Sequence, residues 1–582
     1  MWIEGTTVGH LLDRAAQRGP DHDAVVFPDV RATYGELSRL TDAMARSFSG
    51  LGIERGDKVG ILMPNRLEFV LAFIAAAKLG AIPVPINARF KAYELGHVIS
   101  HADVRLLLTC AGPAGTTDYP ALLLEVFPDL ARQDDPWRLE LAAAPELRQV
   151  VDIEADRAAT APPSGAADKS PSKAPPSGAA DKSPFLTRED LEAAGTEIGS
   201  EELESRQSRV RIRDIAMLMY TSGTSARPKG CLLTHEALVR HAGNVARSRF
   251  LLTAEDSFWD PLPLFHIGGI VPMLGCFSVG ARYCHAGHFD PGVALRMLEA
   301  ERCTVLYPAF ETIWLAVLDH PDFERTDLSA VRLIQSIAVP ERLAQLEARM
   351  PWAAQVSSYG ATESSSNLTL SRPDDPYEVR IGTLGQVLPG MEVRVLDPET
   401  GDERRPGEIG ELCYRGYALF EGYYKDPELT SQSFDADGFF HSQDLGKLDD
   451  AGQLVYVGRL KDMLKVGGEN VSALEVEGYL ITHPAVNIAQ VVAAPDARYG
   501  EVPTAFLELK QEGSIDEQAV VEFCLDRIAT YKVPRYVRFV SQGEWPMSGT
   551  KIQKFVLRER IARELHESGI SEAPRLREPA VD

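Results

Sequence analysis

The chain has 582 residues, 45% of them hydrophobic and 25% charged, with a formal net charge of −24. That length supports roughly two to four domains with cores of their own, and the acidity argues against non-specific binding to nucleic acid or anionic membranes. The seven cysteines (Cys110, Cys231, Cys276, Cys284, Cys303, Cys413, Cys524) are scattered, with no C-x-x-C pair and no histidines at metal spacing, which argues for a reducing compartment and against structural zinc.

The first stretch, "MWIEGTTVGHLLDRAA", carries neither a basic nor a long apolar segment and does not read as a secretory signal, so a cytoplasmic location is expected. Apolar helices and short β-branched runs then alternate to about Val150. "KVGILMP" from Lys58 predicts a buried strand, "RLEFVLAFIAAAKLG" a helix stopped by Gly80, and "AIPVPIN" the next strand. The longest apolar run, 69–86, contains Lys78, Pro83 and Pro85, so it reads as a buried helix leading into a strand and not as a membrane span. "APPSGAADKSP" occurs at Ala161 and again at Ala174, and its composition predicts a flexible surface insertion over 161–184. After Arg209 the alternation resumes and runs to about Val457, which predicts α/β layers with mostly parallel sheets. "GRLKDMLKVGGENVSALEVEGYLITHPAV" then reads as a turn, a glycine loop and a helix, followed by a strand ("AFLELK"), a helix ("DEQAVVEFCLDRIAT") and a strand ("RYVRFV"). The expectation is a large α/β N-terminal domain over 1–460, a small α+β C-terminal domain over 461–566, and a tail over 567–582.

"YTSGTSARPKG", Tyr220 to Gly230, carries the first chemistry. A strand ("AMLMY"), a turn-rich loop and a helix with Thr234 as N-cap suit phosphate binding. Hydroxyls of Thr221, Ser222, Thr224 and Ser225, N–H groups opened by Gly223, and Lys229 can face an anion. It is not a P-loop, because Pro228 precedes the lysine and Gly230, not a hydroxyl, follows it; alone it is also compatible with a plain surface loop. Further along stand "SSYGATESS" with Tyr359, Gly360, Thr362 and Glu363, "FFHSQDLG" with Asp444, "YVGRLKDMLKVGGENVS" with Arg459, Lys461, Gly467 and Gly468, and "WPMSGTKIQK" with Lys551. Taken singly, these read as surface acids, exposed cations, a core tyrosine and a hairpin turn.

In order and spacing, these stretches resemble the motifs of the adenylate-forming superfamily of acyl-CoA synthetases, firefly-type luciferases and peptide-synthetase adenylation domains. So do "ATYGEL", "AKLGAIPVPIN", "PLFH", "IGTLGQVLPG" and "GEIGELCYRG", and the resemblance covers nearly the whole chain outside the insertion and the tail. It implies an ATP- and Mg²⁺-dependent attack of a carboxylate on the α-phosphate, giving acyl-AMP and pyrophosphate, and then transfer of the acyl group to a thiol. It further implies that the 221–230 loop holds the β- and γ-phosphates, Thr362 the α-phosphate and Glu363 the Mg²⁺. Asp444 would accept the ribose hydroxyls, Arg459 reach the ribose or phosphate, and Tyr359 stack on adenine beside Gly360 and Ala338. Lys551 would bridge the carboxylate and α-phosphate, with Lys554 as fallback because Thr550 stands where the family has glycine. Lys461 would be the hinge of a rotating small domain, and Gly467 and Gly468 would line the pantetheine channel of coenzyme A.

Departures are Ser225-Ala226 in the phosphate loop, Ser442-Gln443 before Asp444, and Ile337 in the adenine segment "QSIAVP"; they point toward unusual kinetics or an unusual acyl substrate. The acyl pocket would draw on His266, Ile267 and the helix to Gly275, Tyr307, Ile337 and 360–367. For His266 an acyl gate and a satisfied core histidine both remain open. The region after "PLFH" has no acid to bind an α-ammonium, so a hydrophobic acid without an α-amino group is favoured. The expected activity is that of an acyl-CoA synthetase. The alternatives are delivery to a carrier-protein phosphopantetheine, or a catalytically weak acyl- or nucleotide-binding homologue; monomer and homodimer are both open.

Overall fold

A computed structural model describes residues 5–112, 117–155, 183–221, 228–460, 463–467, 469–525, 527–548 and 551–576. All but the last two residues of the expected 161–184 insertion lie outside them. The chain divides into two units: Met1–Thr304 with Gly360–Ser366 and Tyr417–Ser431, and Val305–Tyr359 with Asn367–Gly416 and Gln432–Asp582.

In the first unit five parallel strands form one sheet in the order Ile82–Pro85, Lys58–Leu62, Val104–Thr109, Gln149–Asp152, Leu186–Thr187. Their near-continuous apolar runs suit a sheet covered on both faces. Helix Leu67–Leu79 ends as expected, with Gly80 in the left-handed region at φ 71°. Lys78 within it is fully buried and forms ion pairs with Asp13, at 2.7 Å, and Asp42. A buried ammonium needs such partners. Elsewhere in the unit Asp23–Val26 runs antiparallel to Arg31–Thr33 and parallel to Arg282–Cys284, which in turn pairs in parallel with Ser257–Trp259. Among the described residues no helix is long and apolar enough to cross a membrane.

The second unit begins with three parallel strands, Val305–Phe310, Leu333–Ile337 and Ala354–Val356. The expected α/β alternation up to Val457 then fails. Met391–Leu396, Gly410–Gly416, Phe440–Leu448 and Leu454–Arg459 form an antiparallel sheet in chain order. Of the connections in this stretch only 417–439 holds a helix, Pro427–Gln432, and its six residues are fewer than the crossover helix of a parallel pair.

At the C-terminal end a mixed sheet runs in the order Glu469–Val471, Leu464–Val466, Gly500–Leu509, Val486–Asp496, with Tyr536–Phe539 parallel to Gly500–Leu509. Its two faces bury separate cores. Val491 and Leu507 pack with Val476, Leu480 and Val520 of the helices Ala473–Leu480 and Glu517–Cys524. Val492 and Phe506 pack with Leu557 and Ile561 of Lys554–Glu567. The α+β pattern is as expected, but Val486–Asp496 was missed and the helix in "DEQAVVEFCLDRIAT" covers only Glu517–Cys524.

Candidate active site

In the first unit Ile215–Thr221 pairs antiparallel with Lys229–Thr234, placing Thr221 opposite Lys229. The expectation of strand, loop and helix is therefore corrected to a hairpin. "KGCLLT" forms the second strand and buries Gly230, Cys231, Leu233 and Thr234. The helix starts only at His235, with the Thr234 hydroxyl accepting the Ala237 N–H at 3.1 Å as predicted. Lys229 is thus a strand residue. Ser222, Gly223, Thr224 and Ser225 lie outside the described residues.

Glu363 sits in a 3₁₀ turn, Thr362–Ser364, followed by two non-glycine residues in the left-handed region, Ser365 at φ 55° and Ser366 at φ 95°. Such conformations cost about 1–2 kcal/mol each. They are held by Ser364 Oγ donating to the Ser366 carbonyl at 3.0 Å and Ser365 Oγ donating to the Ala418 carbonyl at 2.7 Å.

Tyr423, which the sequence reading did not single out, donates its hydroxyl to Glu363 Oε1 at 3.0 Å, and Lys229 Nζ lies 5.5 Å from the centroid of its ring. Backbone bonds from Tyr424 N–H to the Gly230 carbonyl (2.8 Å) and from Leu232 N–H to the Gly422 carbonyl (3.1 Å) lay this segment along the Lys229–Thr234 strand. Burial and then the Glu363 charge hold the Tyr423 hydroxyl well above its ordinary pKa, so it remains a donor. The same two causes keep the buried Cys231 thiol protonated.

In the second unit Asp444 is buried and forms a cross-strand pair with Arg459. Tyr359 donates its hydroxyl to Asp444 Oδ2 at 2.7 Å; Arg459 Nε and the Tyr456 hydroxyl reach Oδ1 at 3.2 and 3.4 Å. The rings of Tyr359 and Tyr456 stack with centroids 5.7 Å apart. Burial pushes the Tyr359 hydroxyl pKa far up, which fixes it as a donor to the carboxylate. A carboxylate offers about four lone-pair sites, so Asp444 retains acceptor capacity for further hydroxyls. Tyr456 was missed; three residues before Arg459, its aromatic ring was the available signal. Gly360, in the first unit, is exposed. In the second, Ile337 ends its parallel strand 40% exposed and is followed by Ala338.

The acyl-pocket expectations divide. His266 is exposed at the N-cap of helix Ile267–Val279, so the core-histidine reading is wrong. That helix is buried from Gly269 to Ser278, leaving Ile267 and Gly268 partly exposed in its first turn. Tyr307 is buried, its hydroxyl 3.3 Å from Asn367 Oδ1, which also accepts from Ser358 Oγ at 3.2 Å.

In the C-terminal part, Val466 pairs with Glu469 and Gly467 takes φ 59°, a tight hairpin tip whose Gly467 N–H donates to the Tyr499 carbonyl at 2.8 Å. Gly468 and Lys461 lie outside the described residues. Lys551 opens a strand paired through Ser548, and its side chain lies outside the described residues. Lys554 is engaged elsewhere: its Nζ pairs at 2.6 Å with Glu477, a buried carboxylate that also accepts the Val491 N–H at 2.6 Å.

Residues 12–424 match the model of the family described as AMP-binding enzyme, and residues 475–550 match that of the AMP-binding enzyme C-terminal domain. The chain belongs to this adenylate-forming superfamily. It is an AMP-forming acid–thiol ligase. "Putative acyl-CoA synthetase YngI" of Bacillus subtilis (strain 168) is 35% identical over 95% of this chain and 97% of its own length. The mitochondrial medium-chain acyl-CoA ligase ACSF2 of Rattus norvegicus is 30% identical over 96% of this chain and 88% of its own. A crystal structure of the anthranilate CoA ligase AuaEII in complex with anthranoyl-AMP shares the fold with a TM-score of 0.80 and 25% identity, over 97% of this chain and 98% of that one.

Proposed function

We propose that this ligase activates a hydrophobic carboxylic acid with ATP as its acyl-adenylate and transfers the acyl group to the thiol of coenzyme A. The observation that carries this reading is a pair of pre-oriented carboxylates. Asp444 is buried among two tyrosine hydroxyls and a guanidinium, and Glu363 is held by the Tyr423 hydroxyl beside Lys229.

Tyr359 and Asp444 hold the nucleoside, and Arg459 adds positive charge beside the ribose site. Thr221, Lys229 and the hydroxyls between them hold the outer phosphates, and Thr362 bonds the α-phosphate. Glu363, a half-buried oxygen donor turned by a neutral hydroxyl, suits Mg²⁺. When bound, that ion neutralises phosphate charge. Lys551 steadies the negative charge that gathers as the substrate carboxylate meets the α-phosphate, since phosphoryl transfer needs positioning and charge stabilisation more than covalent help. The thiol then attacks the acyl carbonyl and AMP leaves. Gly467, with no side chain at its hairpin tip, permits close approach of a pantetheine arm. An acid lacking an α-amino group accords with the absence of an acidic residue in 266–280, and the medium-chain and anthranilate relatives support an apolar acyl group.

The test is pyrophosphate release across a panel of carboxylic acids, with coenzyme A and a phosphopantetheinyl carrier protein offered separately. Medium-chain or aromatic acids with coenzyme A should turn over. Turnover only with the carrier would overturn the acceptor, and no release with any acid, despite ATP binding, would overturn the activity.

A further inference from the structure

We propose that Glu411, Cys413 and His441 form a binding site for a thiophilic divalent cation, Zn²⁺ foremost, in the antiparallel sheet of the second unit. Among the described residues these three bring ligand atoms within 4.8 Å of one another. Glu411 and Cys413 lie two apart on Gly410–Gly416, and Cys413 faces His441 of Phe440–Leu448 across the ladder. No contiguous motif announces the site, because its donors meet only through strand pairing. The reading against structural zinc, made from spacing along the chain, could not detect it.

Cys413 Sγ stands 3.4 Å from His441 Nδ1, and Nδ1 stands 2.9 Å from Glu411 Oε2. With metal–sulfur bonds of about 2.3 Å and metal–nitrogen or –oxygen bonds of about 2.0–2.1 Å, a tetrahedral ion needs S···N near 3.6 Å and N···O near 3.3 Å. The first separation is already in place, and the second needs only a small outward turn of the Glu411 carboxylate. Its other oxygen, Oε1, accepts the Gln443 N–H at 2.9 Å, an outer bond that orients it, and Gln443 adopts φ 60°.

Access comes through His441, whose side chain is 32% exposed, while the Cys413 sulfur is buried. Three protein donors with solvent as the fourth suit an exchangeable ion, and the sulfur disfavours Mg²⁺. On binding, the Cys413 sulfur becomes a thiolate ligand and its thiol proton leaves to solvent. In the bound state His441 Nδ1 gives its lone pair to the ion and the ring proton stands on Nε2.

The test is a titration of the EDTA-treated full-length protein with Zn²⁺ by calorimetry, and with Cd²⁺ by its ultraviolet thiolate charge-transfer band. The expected result is one thiolate-bound Cd²⁺ and one Zn²⁺ per chain. Cys413→Ser should abolish the band and weaken Zn²⁺ by more than about 100-fold, and Glu411→Gln should weaken it by about 10–100-fold. Glu363→Gln should keep the band. No band in the parent protein, or a band retained in Cys413→Ser, overturns the site. If Cys413→Ser does not fold, His441→Gln at the accessible position decides: parental Zn²⁺ affinity there overturns it, and a loss of about 100-fold supports it.

Discussion

Lys554→Ala separates a structural lysine from the proposed catalytic Lys551. Glu477 is 4% exposed and its charge is met by Lys554 Nζ at 2.6 Å and the Val491 N–H at 2.6 Å. Removing one member of a buried pair costs about 3–5 kcal/mol, because it leaves a charge without its partner. Lys554 is 21% exposed in its side chain, so water can partly replace it, which favours the lower end, about 3 kcal/mol. That is roughly a hundredfold in the opening equilibrium of helix Ala473–Leu480. Hydrogen exchange of that helix measures it. Burial already raises the Glu477 pKa despite Lys554, and the alanine variant raises it further. A carboxyl raised in the folded state binds its proton more tightly there than in the unfolded chain, so the deficit is largest at neutral pH. It fades as the pH falls toward the unfolded value near 4.3. Adding Glu477→Gln should recover part of the loss, and ATP-dependent adenylation should persist wherever the variant is folded. A deficit independent of pH, a double variant no better than the single one, or loss of adenylation in a folded Lys554→Ala would each refute the reasoning.

Three further outcomes follow from the same geometry. Tyr423→Phe removes the hydroxyl that turns Glu363, so the Mg²⁺ activation constant of pyrophosphate release should rise about 10–100-fold with the acid KM unchanged; an unchanged Mg²⁺ dependence would count against the metal role. Tyr456→Phe removes one donor from Asp444 at 3.4 Å and should raise the ATP KM several-fold, by about the 1 kcal/mol of one hydrogen bond, with little change in thioester formation. Gly467→Ala places a side chain at φ 59° and 3.3 Å from the Tyr499 ring. It should cost about 1 kcal/mol of local stability and slow thioester formation more than adenylation, as read by single-turnover kinetics.

How much was legible depended on range. Local signals were dependable: the Gly80 stop, the Thr234 cap and the buried lysine that spoiled a membrane reading all stand in the structure. The motif residues Glu363, Asp444 and Arg459 were visible as types in order, and the structure adds what holds them. Tyr423, the partner of Glu363, was not legible, because a hydrogen bond across 60 residues leaves no mark in either segment; Tyr456, 12 residues from Asp444, had its ring beside Arg459 as a signal. The hairpin after Thr221 was mistaken for a loop because "KGCLLT" is short and follows turn residues. The 391–459 sheet was read as α/β because alternating apolar runs do not declare strand direction. Val486–Asp496 hid because "VNIAQVVAAPD" mixes alanines and amides with its valines. Sequence spacing favoured Lys551 with Lys554 as its fallback; the structure pairs Lys554 with Glu477.

The proposed role of Lys551 confines it to adenylation within a two-step acid–thiol ligase. Its most direct measurement compares both half-reactions in Lys551→Ala: adenylate formation from ATP and acid, and thioester formation from supplied acyl-AMP and coenzyme A. The first should be abolished, and the second should stay within a few-fold of the parent enzyme. Equal loss of both, with the fold intact, or retention of the first would contradict it.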